Sequence, residues 1–214
     1  MIRLPFRRRR HFALAAATVL VIALIGAGLG VLYPRPPADD SVEAGFARDM
    51  QAHHAQAVRM SMIIRDRSTD AEIRMLAYDI ALSQQQQIGQ MYAWLQLWDL
   101  PQASLDAPMA WMRRAHHSTT GTTRSMTSMP GMATAAQIKQ LEQAAGREAD
   151  ALFLRLMIPH HQGGVQMAQA ALNATGQPQV RRLATSLVAA QSSEIDLMKR
   201  MLTTRGAADV LPAG

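Results

Sequence analysis

A fifteen-residue stretch occurs twice in this chain, 107 positions apart. The first copy is Phe46-Ala-Arg-Asp-Met50-Gln-Ala-His53-His54-Ala-Gln-Ala-Val58-Arg-Met60. The second is Phe153-Leu-Arg-Leu-Met157-Ile-Pro-His160-His161-Gln-Gly-Gly-Val165-Gln-Met167. Seven of the fifteen positions are identical, and two of them are adjacent histidines in a chain that has seven. The offset continues without a gap: Arg74 matches Arg181, Leu76 Leu183, Gln84 Gln191, Ile88 Ile195, Met91 Met198 and Leu95 Leu202, while Gln87 becomes Glu194. Each copy reads as a helical hairpin. One hairpin buries its own apolar stripe poorly, so two are expected to pack as a four-helix bundle.

The helix boundaries follow from local signals. Ser41 suits an N-cap with Glu43 in the first turn, opening a helix to about Arg65. On a 3.6-residue period Phe46, Met50, His53, Ala57, Met60 and Ile64 share a stripe, with His54 at its edge. Asp66 to Asp70 reads as a turn. The next helix spans about Ala71 to Trp98, and its stripe holds Ile73, Ile80, Met91, Leu95 and Trp98 together with Gln84 and Gln87. A buried unpaired amide costs about 1–3 kcal/mol, so these glutamines need partners, and the histidine pairs are the natural ones. The second half repeats the pattern over Ala151–Leu172 and Gln179–Leu202, with a turn at Asn173–Pro178. Pro159, inside a helical pattern, should kink the helix or free a carbonyl. Gly163-Gly164 should loosen it.

The connection between the hairpins, 102–133, carries Met109, Met112, Met126, Met129, Met132, His116 and His117. A connection this long is usually functional or disordered, and its methionines have no obvious core to fill. Thr134 with Gln137 resembles a capping box, opening a short helix to about Ala145 with Gly146 as its stop.

Residues 12–33 are apolar and uncharged, preceded by Arg7–Arg10 and followed by Pro34-Arg35-Pro36-Pro37. About 20 such residues can span a bilayer, and the arginines place the N-terminus in the cytoplasm. A retained transmembrane helix is the expectation and a cleaved signal peptide the alternative; both imply export. The layout is then a basic cytoplasmic segment 1–11, an anchor or signal segment 12–33, a Pro-rich linker 34–41, a bundle over 42–203 and a tail 204–214. Five arginines precede the apolar run. The remainder has 17 basic and 16 acidic residues, so the net charge of +6 belongs largely to the N-terminus and argues against a nucleic-acid role.

Met-x-x-His-His on a helix projects all three side chains from neighbouring positions. Thioether with imidazole suits Cu(I) and Ag(I), whereas imidazole alone also suits Zn(II), Cu(II) or Ni(II). Cysteine is absent, so neither a thiolate site nor a cysteine nucleophile exists. The candidate ligands are His53, His54, His160, His161, Met50 and Met157, with Met126, Met129, Met132, His116 and His117 as further donors. Gln84, Gln87, Gln191 and Glu194 would hydrogen-bond and orient the histidines. Met60, Met167 and Met201 read as core packing. Neither repeat has Glu-x-x-His for a di-iron site, and there is no haem-attachment motif, phosphate loop or nucleophile elbow. The expected function is an exported copper-binding buffer, scavenger or carrier, not a catalyst, with a copper-handling protein as a further partner. Three alternatives stay open: an envelope bundle whose histidines are only hydrogen-bonded, a redox metalloenzyme and an axially ligated b-type haem.

At Phe46–Met60, Met129-Pro130-Gly131-Met132 and Met157–His161 followed by Val165-Gln-Met167, the sequence resembles domain-of-unknown-function family 305. The resemblance covers about residues 42–203. It implies a ferritin-like four-helix bundle exported in bacteria, with some similar proteins binding copper or silver. Met50, His53, His54, Met129, Met132, Met157, His160 and His161 match its motif positions.

Overall fold

The computed structural model describes residues 18–21, 36–116 and 129–206, and of residues 114–116 only the backbone. The chain divides after Pro36 into two units, the first of which contributes helical residues 18–21. The second unit is all helix among the described residues: α1 (Val42–Arg67), α2 (Ala71–Leu97), α3 (Ala110–His116), α4 (Ala135–Gln143), α5 (Gly146–Ala174) and α6 (Pro178–Thr204). Among the described residues no helix is long and apolar enough to cross a membrane. The apolar run 12–33 lies outside them except for residues 18–21.

The four long helices form two hairpins, α1 against α2 and α5 against α6, joined through α1 against α5. Short helices α3 and α4 lie on α1 and α5. The Ser41 hydroxyl accepts from the Ala44 N–H at 3.1 Å, and the Thr134–Gln137 capping box forms. Gly146 departs from expectation. It begins α5 with φ +55° instead of ending α4, whose C-cap is Ala144.

The duplication is visible in individual hydrogen bonds. Arg74 donates to the carbonyls of Arg65 and Ser68. Its counterpart Arg181 donates to those of Leu172 and Thr175, each 107 positions on. Helix carbonyls orphaned at a C-terminus are thus capped the same way twice. The ends of the bundle are tied as well. Glu43 accepts from the Thr175 hydroxyl at 2.7 Å, and Arg205 donates to Asp70 at 2.6 Å.

The core falls into two apolar clusters. One gathers Met60, Ile64, Ile73, Ile80, Phe153, Met157, Ile195 and Met198. The other gathers Phe46, Met50, Met91, Leu95, Trp111, Met167, Leu183 and Leu187. Between them along the helices lie buried His53, His54, Gln84, His160, His161 and Gln191. A polar layer therefore crosses the middle of an otherwise apolar bundle.

The described part of the 102–133 connection, residues 102–116 and 129–133, is more ordered than its composition suggests. It contains α3, and Met109 and Met112 are buried in the second cluster. The expectation that they lack a core to fill is overturned because Asp49 anchors this segment: its Oδ2 accepts from the Met109 N–H at 2.7 Å and from Trp111 Nε1 at 2.9 Å.

Candidate metal centre

α1 and α5 bring the two histidine pairs together. The rings of His53 and His160, repeat equivalents, stack with centroids 3.8 Å apart and a 34° tilt. His54 and His161 lie outside this pair, at 6.4 Å from His53 and 6.3 Å from His160 respectively. All four are at most 1% exposed.

Two of the four are hydrogen-bonded. His53 Nε2 donates to the Pro130 carbonyl at 3.1 Å, and His161 Nε2 meets Glu194 Oε2 at 2.8 Å. Among the described residues, six ring nitrogens find no hydrogen-bond partner: His53 Nδ1, both of His54, both of His160, and His161 Nδ1. Burial pushes the His53 imidazolium down to about 4, opposed by the Pro130 carbonyl and reinforced by His161. Burial likewise takes His54 to about 3, with His53 adding to the effect and the nearby Gln87 amide opposing it. His160 is held well below its ordinary value by burial, then by His53, His161 and His54, with the nearby His53 backbone opposing. Neutral imidazoles carry a free lone pair, the form that ligates a metal.

The expected glutamine partners are not in place. Glu194 bonds a histidine, but Gln84 Oε1, Gln87 Oε1 and Gln191 Oε1 are themselves unpartnered. Gln87 approaches His54 without completing a hydrogen bond to either ring nitrogen. Met50 and Met157 are buried, but in different clusters on opposite sides of the polar layer, as antiparallel α1 and α5 require. Met129 and Met132 are half-buried beside Pro130. His116 ends α3 and its side chain is not described; His117 and Met126 lie outside the described residues. No three His, Cys, Asp or Glu side chains among the described residues are grouped to hold a metal ion.

Gln56, Gly131 and Gly163 make contacts at the centre that the sequence pattern does not announce. The Gln56 amide donates to the Ala133 carbonyl at 2.9 Å and accepts from its N–H at 2.7 Å, fastening the chain just after Met132. Its place one turn after His53 was the available clue. Gly131 (φ +75°) lies against the Pro159 carbonyl, where a Cβ would approach to 2.1 Å. A Cβ on Gly163 would come to 2.0 Å from the Pro130 carbonyl. These absent methyl groups let Met129-Pro130-Gly131-Met132 lie directly on α5, above the stacked pair.

The sequence matches the domain of unknown function 305 (DUF305) over residues 43–202. The chain belongs to this family. A DUF305 protein from Streptomyces coelicolor, named as secreted, is 48% identical with a TM-score of 0.72, over 79% of this chain and 97% of that one. A DUF305 fragment from Deinococcus radiodurans is 36% identical with a TM-score of 0.63, over 79% and 99%. CopM in its Cu(II)-bound form is 27% identical with a TM-score of 0.57, over 77% and 97%; it is also known in a Cu(I)-bound form, matched at 25% and 0.58. An uncharacterised protein of Acanthamoeba polyphaga mimivirus is 36% identical over 56 residues, 26% of this chain and 37% of that protein's length. The DUF305 fold of the chain is thus shared with a protein that binds copper in both oxidation states.

Proposed function

We propose that this protein is an exported copper-binding buffer or carrier, anchored through residues 12–33, that holds Cu(I) with the imidazoles of His53, His54, His160 and His161. The observation that carries the reading is the six unpartnered ring nitrogens buried in one layer. Buried polar groups are nearly always hydrogen-bonded, and a cluster of exceptions calls for a ligand. The donors fit a soft cation: neutral imidazoles, with Met50, Met157, Met129 and Met132 supplying thioethers at their margins. Since no three imidazoles or carboxylates group together among the described residues, few of these imidazoles would serve each ion. That suits Cu(I) or Ag(I) better than the tetrahedral three- or four-ligand preference of Zn(II). The copper-bound relative supports the cargo, and the secreted relative supports export.

Competition for Cu(I) against a chromogenic chelator under anaerobic conditions tests this on the full chain. Tight binding of a defined number of ions is expected, weakened in a His53→Ala/His160→Ala variant that keeps its helical circular dichroism. A folded variant with undiminished affinity overturns the proposal. A second reading, favoured by the His53–Pro130 and His161–Glu194 hydrogen bonds, makes the histidines purely structural. It requires that added copper leave the melting temperature unchanged.

A further inference from the structure

The two repeats hydrogen-bond different members of their histidine pairs. In the first it is His53, through the Pro130 carbonyl; in the second it is His161, through Glu194. The equivalent of His161 is His54, and the equivalent of Glu194 is Gln87. Neither ring nitrogen of His54 is bonded, whereas His161 has Nε2 bonded and Nδ1 free and buried. A carboxylate accepts, so its bond assigns the proton to Nε2 and leaves the lone pair on Nδ1. A carboxylate on the distal nitrogen also makes an imidazole a stronger ligand. Among the described residues Glu194 is the one carboxylate bonded to any of the four histidines, and its side chain is 24% exposed.

A second difference lies one turn before Glu194. A Cβ on Gly164 would come to 2.3 Å from Gln191 Oε1. The equivalent position is Ala57, which carries the methyl group that Gly164 lacks. The Gln191 side chain of α6 thus lies close over Gly164 of α5, one turn before the Glu194 that reaches His161.

We infer that Glu194 is a positioning residue that fixes His161 as an Nδ1 ligand and makes the second repeat the half that takes a soft monovalent cation first. This rests on the metal-binding reading above. Gln87 cannot do the same for His54, because an amide both donates and accepts and so selects no tautomer. Filling is then ordered, the His161 side before the His54 side.

Long-range 1H–15N correlation spectra of the full, metal-free chain read each imidazole tautomer. His161 is expected as the Nε2–H form in the wild type and as a mixture in Glu194→Ala. In a stepwise titration with Ag(I) below one equivalent, His161 Nδ1 should shift before either nitrogen of His54. Glu194→Gln should weaken the first site about 10- to 100-fold, and Gln87→Glu should erase the order by giving His54 the same partner. An Nδ1–H form of His161 in the wild type overturns the inference, even if a variant fails to fold. So does a response at His54 that comes first or simultaneously. If Ag(I) perturbs no histidine while His161 keeps the Nε2–H form, the metal-binding reading has failed and the filling order falls with it.

Discussion

Gln56 and Gly163 occupy the same position in the two repeats, and they do opposite things. Gln56 reaches out and clamps the chain at Ala133; Gly163 withdraws and lets the Pro130 carbonyl approach. One hairpin grips the Met-Pro-Gly-Met segment and the other makes room for it. Duplication produced a near-symmetric scaffold, seen in the matched caps of Arg74 and Arg181. A single covering segment cannot sit symmetrically on two equal halves, so the repeats diverged where it docks. The repeats also differ one residue on, where Ala57 of the first aligns with Gly164 of the second.

The largest expected effect concerns the first repeat's histidines. In the metal-free protein His53 and His54 are held neutral by burial, at about 4 and about 3 against an ordinary 6.5. The unfolded chain then binds more protons than the folded one between these values, so stability is full above about pH 6.5 and falls as the pH drops toward 4. At about 1.4 kcal/mol per pH unit, the loss is on the order of 3 kcal/mol from His53 alone. Denaturant midpoints at pH 7.5 and 4.5 would read it. Equal midpoints would mean the histidines are not desolvated.

Gly163→Ala attacks the covering segment from the yielding side. The added methyl meets backbone, which cannot step aside, and the cost should approach 3 kcal/mol. Gln56→Ala attacks from the gripping side and removes two hydrogen bonds, costing about 1–2 kcal/mol. Both free the same segment, so the double variant should lose less than the sum. Strict additivity in chemical denaturation would show that the two contacts do not hold one element. Gly164→Ala should cost least, within about 1 kcal/mol of the wild type. Its methyl meets only the movable end of Gln191, and the gain in helix propensity offsets the displacement. A loss as large as that of Gly163→Ala would mean Gln191 is fixed in place.

The scaffold was legible because its signals are local. Ser41, Thr134 and Gln137 cap as their types dictate, and the 107-residue register put equivalent residues into equivalent bonds. Tertiary contacts were not legible. Gly146 looked like a helix stop, but α4 had already ended at Gln143, leaving the glycine to start α5. Met109 and Met112 looked free because their core is supplied by distant helices and held by Asp49, about 60 residues away. Gly163 and Gly164 read as looseness in a helix, yet each marks a close approach by another part of the chain. The histidine pairs were visible as a motif. That they leave six nitrogens unpartnered in one layer depends on how α1 meets α5, which no spacing encodes.

X-ray absorption at the copper K-edge of the Cu(I)-loaded full chain tests the central claim most directly. The account predicts imidazole scattering together with a sulfur shell, and loss of the imidazole component in a folded variant with alanine at His53, His54, His160 and His161. A spectrum with no imidazole contribution, or one unchanged by that variant, would contradict it.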